Sequence, residues 1–176
     1  MNKKIILVVC SGNMFRSPIG AFCLNRVLVR EGLNDTIEAT SRGIQGLGGT
    51  IPPKGKNLMD YPLEWSNSQN EFIRSGIDIN NHRASIITED ALNNAALILA
   101  MDWSILYSRS NSLLKLFPAH SWKMRLFSEL NGLISNIEDP FGQVELISYT
   151  RVIQLIDNIT QHSTAYIKQW MANIQN

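Results

Sequence analysis

The chain has 176 residues, 44% of them hydrophobic and 18% charged, which is enough for one compact domain and too few for two. Its 16 basic and 15 acidic residues give a formal net charge of +1, a balance that predicts no nucleic-acid surface and no attraction to an anionic membrane. Two cysteines do not form a disulfide scaffold, and both would stay thiols in a reducing cytosol. We therefore expect a single cytoplasmic domain over residues 1–176.

The first predicted element is a strand over residues 4–9, an apolar, β-branched run typical of a strand buried on both faces of a parallel sheet. The run is far shorter than the roughly 18 to 20 residues of a membrane span, and it lacks the cleavage pattern of a secretory signal. A helix should follow directly, with Ser17 as its N-cap, Pro18 as its first residue and its end near Gly32.

The middle of the chain is predicted to hold short elements around one long loop. A second strand is expected over 37–41, and the prolines and glycines of residues 44–66 predict a long, variable surface loop with little regular structure. A helix is expected over 68–75, and Thr88 should cap another helix that ends near Asn94.

The last part of the chain continues the alternation of strands and helices. A third buried strand is predicted over 96–101, followed by a helix capped by Asp102, and a fourth strand over 122–127. Apolar residues at helical spacing predict one long amphipathic helix over 145–170. This order predicts an open parallel α/β sheet of about four strands, with helices on both faces and ligands at the carboxyl ends of the strands.

The loop between the first strand and the first helix is the candidate site, because backbone N–H groups and the helix dipole converge on anions there. Gly12 and Asn13 tolerate the left-handed backbone that turns loop amides inward. Arg16 can hold two phosphate oxygens, and the Ser17 hydroxyl can donate to the sulfur of Cys10, so that Cys10 is predicted to be a nucleophilic thiolate. The loop residues expected to bind phosphate or support the loop are Ser11, Gly12, Asn13, Met14, Phe15 and Ser17.

Attack on a phosphoester also requires a proton for the departing oxygen. Asp139 is the candidate acid, since the only Asp-Pro pair in the chain places it on a loop before the last helix, and it could later activate water. A simple turn is the alternative for Asp139, and an inert buried thiol is the alternative for Cys10. Core packing is the favoured role of Cys23.

The sequence from Val9 to Pro18, together with Asp139-Pro140, resembles the signature of the low-molecular-weight protein tyrosine phosphatases. The resemblance covers essentially the whole chain and implies that Cys10, Arg16 and Asp139 are catalytic. It also implies that Ser41 and His82 belong to a network that holds Asn13.

The resemblance also implies a class of substrate and a partner protein. Leu47 and Phe141 stand where bacterial exopolysaccharide-linked members line the substrate pocket, and Phe15 stands where members usually have a second cysteine. The implied substrate is a phosphotyrosine protein, such as the tyrosine cluster of a capsule-export or exopolysaccharide kinase. No cofactor or metal is expected, since no Cys/His cluster has metal-ligand spacing.

Three alternative functions can each be judged from particular residues. Protein-arginine phosphatases have a threonine in place of Met14, whose apolar side chain favours an aromatic ring. Arsenate reductases share this loop but need two further cysteines, and the chain has only Cys23 besides Cys10. A non-catalytic phosphate-binding module would lack Cys10, Arg16 or Asp139, and all three are present.

Overall fold

The computed structural model describes residues 3–53 and 55–173, so that Lys54 of the predicted long loop lies outside the described residues. A four-stranded sheet forms the centre, in the order β2-β1-β3-β4 with all neighbours parallel. Its strands are β1 (Lys4–Cys10), β2 (Ile37–Gly43), β3 (Ala95–Ala100) and β4 (Met124–Leu126). The predicted open parallel sheet of about four strands is confirmed.

Six helices surround this sheet among the described residues. They are α1 (Arg16–Arg30), α2 (Pro62–Ser75), α3 (Glu89–Asn94), α4 (Leu113–Leu116), α5 (Leu146–Gln161) and α6 (Thr164–Asn173). Short 3₁₀ turns span Leu58–Asp60, Pro118–Lys123 and Phe127–Asn131, and a π turn spans Ser104–Ser108. Within residues 3–53 and 55–173 no helix is long and apolar enough to span a bilayer.

The two faces of the sheet carry separate hydrophobic clusters, because side chains alternate along a strand. Ile6 and Val8 of β1 belong to the cluster formed with α1, α2 and α5. Leu7 and Val9 belong to the cluster formed with α3, α4 and the π turn. Helices therefore cover both faces, and the loop after β1 emerges between the two layers at the carboxyl edge of the sheet.

The start of α1 differs from its prediction. The helix begins at Arg16 with Phe15 at the N-cap position, so that Ser17 lies inside the first turn. The reason is that the Ser17 hydroxyl does not bond to the helix backbone: it contacts the sulfur of Cys10 at 3.0 Å and accepts from Asn13 at 3.0 Å.

The predicted loop 44–66 is shorter than expected, because α2 begins at Pro62 instead of residue 68. Proline suits the first turn of a helix, where no backbone donor is needed. The 3₁₀ turn before it, Leu58–Asp60, is held by Asn57, whose side chain accepts from the backbone N–H of Met59 at 2.8 Å.

The predicted single helix over 145–170 is wrong, because the chain forms α5 and α6 with a break at His162 and Ser163. Ser163 is fully buried, and its hydroxyl donates to the carbonyl of Thr160 at 2.7 Å, a local bond that competes with the helix. The new direction of the chain buries Ile167 in the core. Helical spacing of apolar residues persists across the break, and for that reason periodicity did not reveal it.

Other predicted ends lie within a few residues of the observed ones. β4 is confined to 124–126 by the 3₁₀ turns on either side of it, and β2 extends to Gly43. Thr88 caps α3, as predicted, by accepting from the N–H of Ala91. Asp102 likewise accepts from the N–H of Ile105 at 2.9 Å, although the segment after it is a π turn.

Candidate active site

The candidate site is built on the cysteine loop, residues 10–16, which joins the last residue of β1 to the first residue of α1. Asn13 adopts a left-handed backbone with φ of 57°. The loop lies directly on Gly43 at the end of β2, where a Cβ atom would stand 2.6 Å from the carbonyl oxygen of Ser11. Only glycine allows this close approach, which fixes the loop against the sheet.

Two donors converge on the sulfur of Cys10, which is 3% exposed. The backbone N–H of Asn13 donates to it at 3.3 Å, and the Ser17 oxygen lies 3.0 Å away. The Ser17 oxygen accepts from the Asn13 amide, and two acceptors lie within reach of its own hydrogen: the Cys10 sulfur at 3.0 Å and the carbonyl of Arg42 at 3.4 Å. The sulfur is the nearer of the two.

Asn13 joins the cysteine loop to three other segments. Its side-chain amide donates to the Ser41 hydroxyl at 2.8 Å and accepts from the N–H of Ser85 at 2.8 Å. Its carbonyl accepts from His82 Nε2 at 2.7 Å. Asn13 itself is completely buried, so these bonds hold the left-handed turn without competition from water.

The protonation state of His82 follows from its surroundings. Burial lowers the pKa of His82 from its ordinary value, and the guanidinium groups of Arg42 and Arg83 lower it further, against the hydrogen bond to Asn13. His82 is therefore mainly neutral near pH 7. Since its Nε2 faces a carbonyl oxygen, the neutral ring carries its hydrogen on Nε2 and donates there.

Arg16 connects the cysteine loop to two acidic residues, although its side chain is only 1% exposed. Its Nη1 donates to Asp102 Oδ2 at 2.6 Å, and its Nη2 donates to Asp139 Oδ2 at 2.6 Å. Burial opposes the charge, but Asp139, Cys10 and Asp102 together raise the pKa of Arg16. Among the described residues the Nε–H of Arg16 is buried without a partner, so one donor is available for a ligand.

Asp102 holds Arg16 in place and was missed as a site residue. Burial raises its pKa, but hydrogen bonds from Ser104, Arg16 and the N–H of Ile105 lower the pKa by more, so that Asp102 stays ionised. In the sequence Asp102 was noticed as a helix cap and as a weaker point of resemblance to the family, without a role in the site. Arg16 and Asp102 lie 86 residues apart in the sequence, and local patterns do not reveal their pairing.

Asp139 lies at the mouth of the site, with 36% of its side chain exposed. Its Oδ1 accepts from the N–H of Phe141 at 3.4 Å, which shapes the turn. The next N–H, of Gly142, donates to the buried carboxylate of Glu64 at 3.2 Å. The loop of residues 139–142 is thus attached to α2 by a residue that the sequence did not mark as functional.

These groups surround one cleft of about 350 Å³. Tyr61 and Phe141 form an aromatic wall, their ring centroids 4.9 Å apart in an edge-to-face arrangement. The cleft is lined by Cys10, Ser11, Gly12, Met14, Phe15, Arg16, Gln45, Ile51, Pro52, Pro53, Tyr61, Asp139 and Phe141.

Most predicted site residues line this cleft, and the others lie around it. Asn13, Ser17, Ser41 and His82 stand behind the cysteine loop and contact it through hydrogen bonds. Leu47 does not line the cleft. It lies between Gly46 and Gly48, both with positive φ, and the turn directs it onto the core cluster that contains Leu7 and Val9.

Tyr61 and the Ile51–Pro53 segment occupy the wall that was assigned to Leu47. The sequence analysis missed them because it placed both in an unstructured loop. The Tyr-Pro pair at 61–62 was the available signal, since proline often opens a helix and thereby fixes the residue before it.

Phe15 anchors the loop in the core. Its ring packs edge-on against Tyr149 at 5.5 Å and near Phe72 at 6.2 Å. The other cysteine, Cys23, is completely buried on α1. Burial, more than any neighbouring charge, raises the pKa of Cys23 to about 12, so that it is an unreactive thiol at neutral pH.

This arrangement predicts the outcome of oxidation. Mild peroxide is expected to carry Cys10 to sulfinic acid, because Phe15 cannot trap a sulfenic acid and Cys23 is inaccessible. Intact-mass measurement and peptide mapping should find two added oxygen atoms on Cys10, in Cys23→Ser as in the parent. A dominant Cys10–Cys23 disulfide that reductant fully reverses would contradict this prediction.

The acidic and sulfur groups do not form a metal centre in the part of the chain that the structure describes. No group of three or more His, Cys, Asp or Glu side chains is arranged to hold an ion there.

The chain is similar to known phosphatases. A family model described as low molecular weight phosphotyrosine protein phosphatase matches residues 5–175. The chain is 29% identical over 153 residues to a probable low molecular weight protein-tyrosine-phosphatase EpsP of Ralstonia nicotianae, across 87% of this chain and 88% of the relative. It is 24% identical to a protein-arginine-phosphatase of Bacillus subtilis, across 83% and 86%.

A solved structure gives the same result for the fold. The low molecular weight protein tyrosine phosphatase from T. tengcongensis superimposes with a TM-score of 0.71 and 28% identity, over 91% of this chain and 97% of that one. The family match and these relatives show that the chain is a phosphatase. The chain belongs to the low molecular weight phosphotyrosine protein phosphatase family.

Proposed function

We propose that this chain hydrolyses phosphotyrosine in proteins through a cysteinyl-phosphate intermediate on Cys10. The observation that carries the proposal is the meeting of Cys10, Arg16 and Asp139 in one cleft. These are a nucleophile, an oxyanion clamp and a proton donor, which are the groups that in-line displacement at phosphorus requires.

The first step places the phosphate on the cysteine loop, where inward amides and the α1 N-terminus favour an anion. Arg16 offers its unpartnered Nε–H and exchanges Asp139 for phosphate oxygens. Asp139, released from the guanidinium, can then hold a proton. The Cys10 sulfur forms a bond to phosphorus, the bond to the tyrosine oxygen breaks, and the Asp139 proton passes to that oxygen.

The second step reverses the role of Asp139. Its carboxylate removes a proton from water, the water oxygen bonds to phosphorus, and the bond from phosphorus to Cys10 breaks. Inorganic phosphate and the thiolate result. Ser17 then stabilises the departing sulfur, and Asn13, Ser41 and His82 keep the loop in shape.

The alternative of a non-catalytic phosphate-binding module has little support. Binding alone requires the loop amides and Arg16, but it needs neither a sulfur nor a carboxylate beside them. The 139–142 loop, fastened by Glu64, brings Asp139 to the same cleft as Cys10.

The role of Asp139 as general acid can be tested by varying the leaving group of the substrate. Asp139→Ala is expected to lower kcat by roughly 10² to 10³ for phosphotyrosine, a poor leaving group, and far less for p-nitrophenyl phosphate, whose oxygen departs without a proton. Steady-state kinetics with both substrates measure the difference, and Glu138→Ala, which removes the exposed neighbouring carboxylate, serves as the matched control. Equal losses for the two substrates would assign Asp139 to structure instead.

Phosphoarginine is the second candidate substrate, favoured by the similarity to a protein-arginine-phosphatase. The walls of the cleft favour phosphotyrosine, since Met14, Tyr61 and Phe141 offer apolar and aromatic contacts to a ring.

Met14→Thr tests this preference. The substitution is expected to lower kcat/KM for phosphotyrosine peptides by about tenfold, as for loss of a methylene-sized contact in a pocket, and to raise the ratio of phosphoarginine to phosphotyrosine turnover. Met59→Thr, an exposed methionine outside the cleft, is the control. Unchanged peptide kinetics would remove Met14 from specificity.

We also propose that residues 1–176 act as one cytoplasmic phosphatase domain whose substrate is a tyrosine kinase of exopolysaccharide or capsule export. The similarity to a relative named EpsP supports this partner. Dephosphorylation of the purified kinase, measured by phosphotyrosine immunoblot with and without Cys10→Ser, tests it.

A further inference from the structure

A second depression adjoins the catalytic cleft, and we call it the Arg109 groove. It has a volume of about 610 Å³ and shares Ser11, Gln45 and Ile51 with the cleft. Its remaining lining residues are Gly49, Thr50, Arg109, Ser110 and Asn111. A peptide with its phosphotyrosine in the cleft would therefore meet this groove with a neighbouring side chain.

Arg109 is the only charged residue among the described residues that line the groove. Its exposed side chain donates from Nη1 to the hydroxyl of Ser11 at 3.0 Å. Among the described residues Arg109 has no other side-chain hydrogen bond and forms no ion pair. Since a guanidinium has five N–H donors, most of its binding capacity remains.

The groove is a fixed feature of the fold. The N–H of Arg109 donates to Ser104 at 3.2 Å, and its carbonyl accepts from Ser112 at 3.2 Å. Asn111, 4% exposed, donates from Nδ2 to the carbonyl of Ile44 at 3.1 Å and to the hydroxyl of the lining residue Thr50 at 3.3 Å. The backbone that carries the Arg109 guanidinium is thus held on both sides and tied across the groove.

The charge of the Arg109 guanidinium is compensated less than that of Arg16. In the cleft, the positive charge of Arg16 is compensated by Asp102 and Asp139, whereas the charge of Arg109 has no such partner in the described chain. An anion in the groove would face a pre-positioned cation and no carboxylate on any lining residue.

We propose that the Arg109 groove binds an anionic side chain next to the phosphotyrosine of the substrate, a carboxylate or a second phosphate. A guanidinium binds either group through two parallel hydrogen bonds. Successive Cα atoms are about 3.8 Å apart, so a residue one to three positions away reaches the groove. The proposal deepens the proposed function and rests on phosphotyrosine entering the cleft.

Matched peptides test the groove. One phosphotyrosine peptide carries only neutral neighbours, and its partners carry Glu or a second phosphotyrosine within three positions on either side. The expected kcat/KM is about tenfold higher for the best acidic peptide, as for a charge-assisted hydrogen bond. Arg109→Gln should reduce this ratio to about one, Arg109→Lys should keep part of it, and Arg109→Glu should reverse it in favour of a Lys-bearing peptide.

The ratio of kcat/KM for the acidic peptide to kcat/KM for the neutral peptide distinguishes anion recognition from a structural effect. If the substitution of Arg109 only loosened Ser11, both values would fall together and their ratio would stay the same. Lys168→Gln, which removes one exposed positive charge from α6, should keep the full ratio. Preference for both Glu and phosphate supports a general anion site, and preference for the doubly phosphorylated peptide alone assigns the groove to phosphate. Equal rates for all peptides, or a ratio that survives Arg109→Gln, would overturn the proposal.

Peptide binding to Cys10→Ser, measured by calorimetry, repeats the comparison without turnover. Selective binding combined with no hydrolysis by the parent would support the groove and overturn the proposed function. Hydrolysis without selectivity in either measurement would support the proposed function and overturn the groove.

Discussion

Replacement of Cys10 by serine is expected to abolish turnover of p-nitrophenyl phosphate and of phosphotyrosine peptides while phosphate still binds. The loop amides, the α1 N-terminus and Arg16 remain, so the anion site is intact, but a serine hydroxyl is a far weaker nucleophile than a thiolate. Steady-state kinetics measure the loss, and calorimetric titration with inorganic phosphate measures the retained binding.

Cys23→Ser is the matched control for this prediction, because Cys23 is the other cysteine of the chain, is completely buried on α1 and lines no part of the cleft. It should lower thermal stability slightly and keep turnover. Residual activity of Cys10→Ser that depends on an added metal ion would contradict the cysteinyl-phosphate mechanism.

Arg16→Lys is expected to lower kcat/KM by roughly 10² to 10³, the cost of removing one pre-positioned donor from a developing oxyanion. An ammonium group keeps the charge but cannot hold Asp102 and two phosphate oxygens together, as the planar guanidinium can once phosphate has replaced Asp139. Kinetics with p-nitrophenyl phosphate and phosphate titration should show losses in both turnover and binding.

Arg30→Lys makes the same substitution at the exposed far end of α1 and should leave both quantities unchanged. Equal activity of Arg16→Lys and Arg30→Lys would mean that charge alone suffices at position 16. A fall in melting temperature confined to Arg16→Lys would show how much the buried pair with Asp102 adds to stability, since its removal leaves a buried carboxylate unpaired.

The geometry of the cysteine loop could be predicted from the sequence because it is local. Strand, loop and helix follow one another within residues 4–30, and short-range preferences place their backbone. The contact of Ser17 with the Cys10 sulfur spans only seven residues. The parallel sheet was equally predictable, since the central strands β1 and β3 are continuous apolar runs and each connection contains a helix.

Residues far apart in sequence form the rest of the site, and periodicity carries no information about such contacts. Arg16 meets Asp102 and Asp139 over separations of 86 and 123 residues. Leu47 was predicted to line the cleft and does not, because the glycine turns on either side of it direct it to the core. Tyr61 lines the cleft because α2 begins directly after it, at Pro62.

The sequence by itself thus determined the fold class and the family, and it led to the nucleophile and the reaction that we propose, because each depends on residues that are neighbours along the chain. Only the tertiary structure decided which walls surround the cleft, that α5 and α6 are separate, and that Arg109 lies beside Ser11, 98 residues away. The physical reason is that side-chain packing, not local propensity, selects among the many ways in which distant segments can meet at the edge of a sheet.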